Sequence, residues 1–134
     1  MRRNKRLNYH NGINVTWFAK FEKNAKKRKI DFDITIDDVL KVYLDQGKVC
    51  SLSGIPIGWT MVEKSHNISI DRIDSKKGYS RDNIQLVYPK INMMKFTYSQ
   101  DEFIDLCKRV SSYTISMEDE EMGSDVLSST INQS

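Results

Sequence analysis

The chain has 134 residues and 15.6 kDa, with 39% hydrophobic and 29% charged residues, which bounds it at one domain with a modest core plus tails. No apolar run approaches the roughly 18 residues that span a bilayer, and the basic start MRRNKR leads into no apolar stretch. The expectation is an intracellular, cytoplasmic protein with no membrane partner. The net charge of +3 hides an asymmetry: residues 1–30 hold ten Lys/Arg against one acid, whereas residues 111–134 hold five acids and no base. A basic body with an acidic end suits a polyanion binder, and equally a solvated helix face followed by a polar tail.

In chain order, residues 1–14 read as a basic flexible arm. From Val15 to about Lys29 the apolar positions Val15, Phe18, Ala19, Phe21 and Ala25 follow helical spacing, with Lys20, Lys23, Lys26, Lys27 and Arg28 to the wet side. That face has no interleaved aromatic residues, so it fits phosphate-backbone contact better than base reading. IDFDITI (30–36) alternates and predicts a short extended piece; Thr35 or Asp37 opens a second helix that ends near Gly47. KVCSLSGIPIGWT (48–60) is a strand and turn or an irregular packed loop, with Cys50, Leu52, Ile55, Ile57 and Trp59 as core, and 61–65 is a linker. Cys50 and Cys107 lie far apart with no CxxC, so buried thiols are expected and no zinc site.

The stretch SIDRIDSKKGYSRDNIQLVYPKINMMK carries the most chemistry. Strands at 67–72 and 84–88 flank a Gly-containing polar loop, and Pro89 opens a helix to about 96. Alternation puts Ile68, Ile70 and Arg72 on one strand face, with Ser69 and Asp71 on the other, aimed at a cleft. Asp71 plus the Asn92 amide oxygen from the facing helix would meet the demand of a hard cation, Mg²⁺ first and Mn²⁺ as the alternative, with phosphate oxygens completing the shell. The bland alternative pairs Asp71 with Arg72 or Lys76. Asp74 at the loop mouth is a third candidate ligand, although bonding its own backbone is the favoured role. Gly78-Tyr79 reads as a positive-φ turn with a ring packed over the loop. Lys76, Lys77 and Lys95 join the candidate nucleic-acid contacts. Ser99 and Glu102 cap a last helix over 100–110 that turns Phe103, Ile104, Leu106, Cys107 and Val110 inward, and 111–134 is expected to be a disordered acidic tail.

Ser53-Gly54-Ile55-Pro56-Ile57, Ser69 to Asp74, Lys77-Gly78-Tyr79, Asp82-Asn83, Gln85-Leu86-Val87, Asn92 and Met94-Lys95 together resemble the HNH nucleases. That family is a branch of the ββα-metal (His-Me finger) superfamily, and the likeness is greatest to its small phage and mobile-element members. The resemblance covers roughly residues 15–110. It implies an α+β fold, a ββα-metal (HNH) finger packed with flanking α-helices, with the ββα unit at about 66–97. It also implies a metal-dependent endonuclease hydrolysing phosphodiester bonds in DNA; DNA is the expected partner, with RNA as the alternative. By likeness Asp71 and Asn92 hold the metal, and Asn83 braces the loop.

One position departs from the motif. Arg72 stands where the general-base His belongs, and a guanidinium stays protonated and offers no acceptor. It can hold a phosphate or stabilise developing charge, which makes Asp71 and Arg72 the candidate catalytic pair. His66 lies about 16 Å away along an extended strand. The alternative function is therefore a catalytically impaired HNH-fold protein that binds nucleic acid or serves as an accessory.

Overall fold

The computed structural model describes the backbone of residues 8–59, 61–62 and 65–133, and the side chains of residues 8–59 and 66–121. The fold is mixed α and β, in two units, residues 1–99 and 100–134.

The first unit opens with a hairpin, β1 (Tyr9–His10) against β2 (Ile13–Asn14). Asn11 and Gly12 both have positive φ, 50° and 88°, as a two-residue primed turn requires. Ile13 is completely buried, so the expected flexible arm is folded from Tyr9 onward; residues 1–7 lie outside the described residues. Helix α1 (Val15–Lys27) follows, its first turn capped by the Asn14 side chain, which accepts from the Trp17 amide at 2.9 Å. Trp17, Phe18 and Phe21 pack against the core and Ala25 enters it. The helix stops in a Schellman arrangement: Lys29 takes φ 58°, its N–H reaches the Lys26 carbonyl, and the Ile30 N–H reaches that of Ala25.

Strand β3 (Phe32–Asp33) leads to α2 (Ile36–Asp45), which begins at Thr35, one of the two expected starts, with a capping box between Thr35 and Asp38, and ends at Gly47, φ 69°. Residues 48–59 are largely irregular, with one bridge between Val49 and Pro56. Cys50, Ile57 and Trp59 are core as expected, whereas Ile55 is exposed. The 61–65 stretch read as a linker contributes to a small hairpin, β4 (Met61–Val62) with β5 (Ser65–His66).

Strand β6 (Ser69–Arg72) pairs antiparallel with β8 (Ile84–Val87), Asp71 opposite Gln85 and Arg72 opposite Ile84. Between them β7 (Tyr79–Ser80) leaves the hairpin and pairs in parallel with β3, and a 3-10 turn covers Arg81–Asn83. Helix α3 (Pro89–Lys95) starts on its proline, as predicted. The core is this β6/β8 pair, with Ile68, Ile70, Ile84, Leu86 and Val87 buried, joined to an aromatic cluster. In that cluster Trp59 touches Trp17 (5.4 Å between ring centroids) and Tyr43 (4.7 Å), and Tyr79 touches Phe32 (5.5 Å).

The second unit is one helix, α4 (Gln100–Gln133). The predicted helix ended near Val110 with disorder beyond. The structure continues it, consistent with a run from Ser111 to Met122 that holds no Gly or Pro and several good helix formers. Its apolar positions do not all turn inward: Leu106 and Val110 are exposed. No helix among the described residues is long and apolar enough to cross a membrane.

Candidate functional site

The strand–loop–strand–helix unit brings Asp71, Asn92 and Lys95 to one face of β6. Asn92 and Lys95, three residues apart on α3, point the same way, as helical geometry demands. The Asn92 amide donates to Ser69 Oγ at 2.8 Å, and Lys95 Nζ reaches Asp71 Oδ2 at 2.8 Å. Ser69 and Asp71 share a strand face as alternation predicts, but that face is covered by α3 and is no open cleft. Asp71 is 7% exposed and Lys95 is 0% exposed.

Lys95 was expected to contact nucleic acid, and its burial excludes that role in this arrangement. The sequence signal was Ile91, one turn earlier on the same face and packed against the core, but a lysine at position 95 reads as solvent-facing. The ammonium is satisfied inside: besides Asp71 it donates to the Arg72 carbonyl at 3.0 Å. Gln85, missed as a site residue, donates from Nε2 to Asp71 Oδ2 at 2.9 Å and accepts from Ser51 Oγ at 2.8 Å. Its signal was its place directly across the ladder from Asp71, which only the β6/β8 register reveals. A chain of hydrogen bonds thus runs from buried Lys95 through Asp71 and Gln85 out to Ser51 at the surface.

The fit to a divalent ion can be judged from this donor set. Asp71 Oδ2 is engaged by an ammonium and an amide. An ion bound beside it would meet Lys95 at ion-pair range, where a +2/+1 repulsion at 4 Å amounts to about 8 kcal/mol at an effective dielectric constant near 20. Among the described residues no group of three His, Cys, Asp or Glu could hold a metal. As arranged, Asp71 with Asn92 does not fit a resident Mg²⁺ or Mn²⁺.

The expected third ligand, Asp74, caps the loop: its Oδ1 accepts from the Lys76 N–H at 2.9 Å. Asn83 braces the same loop. Its amide donates to the carbonyls of Asp74 (3.0 Å) and Gly78 (2.9 Å), and its oxygen accepts from the Asp74 N–H (2.9 Å). Arg72 is absorbed in this scaffold. Its Nη1 donates to the carbonyls of Ser75 (2.9 Å) and Lys77 (3.0 Å), with the guanidinium 5.4 Å from the centroid of the Tyr79 ring. These bonds, rather than the ion pair with Asp71, are what Nη1 makes. Of the histidines, His10 bonds Asp37 at 2.9 Å, and His66 sits on the β4/β5 hairpin with its Nδ1 buried and without a hydrogen-bond partner among the described residues.

The loop also joins two basic segments far apart in sequence. Gly78 does not take the positive φ expected of it; its requirement is space. A Cβ there would lie 2.7 Å from both Cβ and O of Asp31. The Tyr79 N–H bonds that same Asp31 carbonyl at 2.8 Å, and β3 and β7 continue in register. Lys77 is one residue from this contact and Lys29 two residues from it, so their backbones stand within about 16 Å of each other, by Cα steps of 3.8 Å and the close approach itself. Lys20, Lys23 and Lys27 form one exposed row along α1, with Arg28 beyond it, and Lys76 and Lys77 are exposed on the loop. Lys26 shares its charge with Glu22 at 2.8 Å. Asp31 and Asp33 are the acids within the join.

No family model and no solved structure matches the chain. It is 33% identical over 82 residues to an "uncharacterized 29.0 kDa protein in dda-modA intergenic region" of Enterobacteria phage T4. The match covers 61% of this chain and 32% of that protein, so the chain spans about a third of the length of the curated relative it matches.

Proposed function

We propose that this chain is a non-catalytic nucleic-acid-binding module built on an HNH-type ββα unit, in which an internal lysine stands where the family's metal ion would be expected. The observation that carries the reading is the Lys95–Asp71 pair, 2.8 Å apart and buried on both sides. A lone carboxylate already neutralised by an ammonium has little to offer a cation, and Arg72, tied to loop carbonyls, is neither a base nor a projecting phosphate clamp. What remains available to a ligand is charge: the Lys20–Lys23–Lys27 row and the Lys76–Lys77 loop, brought together by the Asp31–Gly78 contact. Such a surface holds backbone phosphates, so binding is salt-sensitive and weakly dependent on sequence. The phage T4 relative supports a phage setting for the module.

A second reading, the metal-dependent endonuclease, draws on one observation: Asn92 and Asp71 do lie on the same covered face of β6. It requires Lys95 to leave Asp71. One experiment separates the readings. Fluorescence anisotropy of labelled duplex DNA and RNA, between about 50 and 200 mM salt, should show retention that falls steeply with salt. Plasmid incubated with the protein and Mn²⁺ should stay intact. No retention at the lowest salt removes the binding module, and cleavage that disappears in Asp71→Asn establishes the nuclease instead.

A further inference from the structure

The turn that ends α3 is strained, apolar and open to solvent. Phe96 has φ 49° and ψ −124°, a conformation that glycine takes freely and a residue with a Cβ rarely takes. The residue is nevertheless 73% exposed, so burial of its ring does not account for a phenylalanine there. Tyr98 is 46% exposed, and Met93, one turn back on α3, is 78% exposed. Strain of this kind persists where the surrounding structure over-determines it, and it gathers at sites that hold a ligand. Here the fixing bonds are plain. The Phe96 N–H donates to the Asn92 carbonyl at 3.1 Å, the Tyr98 N–H to the Lys95 carbonyl at 3.0 Å, and the Ser75 hydroxyl to the Thr97 carbonyl at 3.3 Å.

The Ser75–Thr97 bond ties the aromatic turn to the basic loop. Phe96 and Tyr98 flank Thr97 on one side of it, and Lys76 and Lys77, both exposed, follow Ser75 on the other. The Cα atoms of Phe96 and Lys76 therefore lie within about 16 Å, by Cα steps of 3.8 Å on either side of the bond. Residues 72–77 and 90–98 hold Arg72, Lys76, Lys77, Lys90 and the internal Lys95 against one acid, Asp74, whose carboxylate is turned to the Lys76 N–H. That surround favours an anionic partner over a basic one. Open rings beside exposed lysines are the combination that holds a single strand, the lysines tracking its backbone and the rings stacking on its bases. A duplex keeps its base faces stacked on one another and offers the rings nothing. On the strength of the nucleic-acid-binding reading above, we infer that the ligand is single-stranded nucleic acid: Phe96 and Tyr98 stack on unpaired bases while Lys76 and Lys77 hold the adjoining phosphates. Every base has a face to offer, so the preference is for strandedness and not for sequence.

The test uses the full chain with two fluorescein-labelled probes, oligo(dT) of about 20 nucleotides and a duplex of the same length, followed by anisotropy. Oligo(dT) should bind at least about tenfold tighter than the duplex at equal salt. Phe96→Ala should weaken oligo(dT) binding at least about fivefold, and Phe96→Ala with Tyr98→Ala at least about twentyfold, with duplex affinity and the salt slope unchanged. Phe96→Trp should keep the affinity and lose indole emission as oligo(dT) is added. Phe96→Gly should melt higher than the wild type yet bind oligo(dT) as weakly as Phe96→Ala, which separates a ring kept for stacking from one kept for the fold. Thermal melts show that each variant folds. A duplex bound as tightly as oligo(dT), or an oligo(dT) affinity indifferent to both ring changes, overturns this inference and leaves the binding module standing. Retention of neither probe removes the module and this inference with it. A dimer of the free chain that vanishes on sedimentation of the doubly substituted variant also overturns the inference, by making the turn a contact between copies.

Discussion

Gly78 sits against Asp31 with no room for a methyl group: an added Cβ would meet the Asp31 Cβ and carbonyl oxygen at 2.7 Å each. Gly78→Ala must therefore push β7 from β3 and break the bond from the Tyr79 N–H to Asp31. The expected loss is about 1–3 kcal/mol in urea unfolding, as for other overpacking changes. Because the same contact holds Lys76–Lys77 near the end of α1, the variant should also show a shallower salt dependence of DNA binding.

Lys95→Met leaves Asp71 charged and buried without its cation, and should cost about 3–5 kcal/mol. Replacing both, Asp71→Leu with Lys95→Met, should recover most of that loss, since an apolar pair of similar volume removes the desolvation penalty. Denaturant titration of the two single variants and the double variant measures the coupling. Under the proposed function, EDTA should leave the unfolding midpoint of the wild-type chain unchanged.

Lys29 occupies a left-handed position at the helix end, φ 58°, where glycine is the usual choice. Lys29→Gly should stabilise the fold by about 1 kcal/mol. It should at the same time weaken binding of DNA and RNA. Opposite signs in thermal melts and anisotropy would mark a residue kept for its charge.

Lys20, Lys23 and Lys27 are exposed and share one row of α1. Changing all three to Ala should leave the melt nearly unmoved while lowering the slope of log K against log salt by about 2.7, at roughly 0.9 per phosphate contact. An unchanged slope would move the binding surface elsewhere.

Burial raises the pKa of the Tyr43 phenol above its ordinary 10.0, and its hydroxyl donates to the Ile57 carbonyl at 2.8 Å. The folded state thus holds this proton more tightly than the unfolded chain. The stability linked to it is fully present below pH 10 and is lost as pH rises past the unfolded value and through the folded one. Tyr43→Phe should flatten that alkaline decline.

How much of this was readable beforehand follows from where the forces act. The β6 and β8 strands, the Pro89 helix and the start of α2 at Thr35 are set by neighbours in sequence, and each fell within a residue or two of its expected bounds. The Asn11-Gly12 hairpin was legible too, since that dipeptide is the strongest short-range turn signal, but the surrounding basic residues masked it. Asn83 as loop brace came from resemblance and agrees with its three hydrogen bonds. The Asp71 environment was hidden, because its partners come from positions 85 and 95 and only the docking of α3 on β6 joins them. Gly78 was noticed for the wrong freedom: its need is space against a residue 47 positions earlier.

The side chain of Gln46 lies along the outer side of β8, its Nε2 donating to the Leu86 carbonyl at 2.8 Å and its Oε1 accepting from the Leu86 N–H at 2.9 Å, with the Ser51 N–H on the same carbonyl. One carboxamide thus imitates a neighbouring strand where the β6/β8 ribbon would otherwise stay open to pairing. A ribbon finished in this way cannot be lengthened sideways by a stray peptide, which guards a short, fully buried strand such as Ile84–Val87 against sticking to others of its kind.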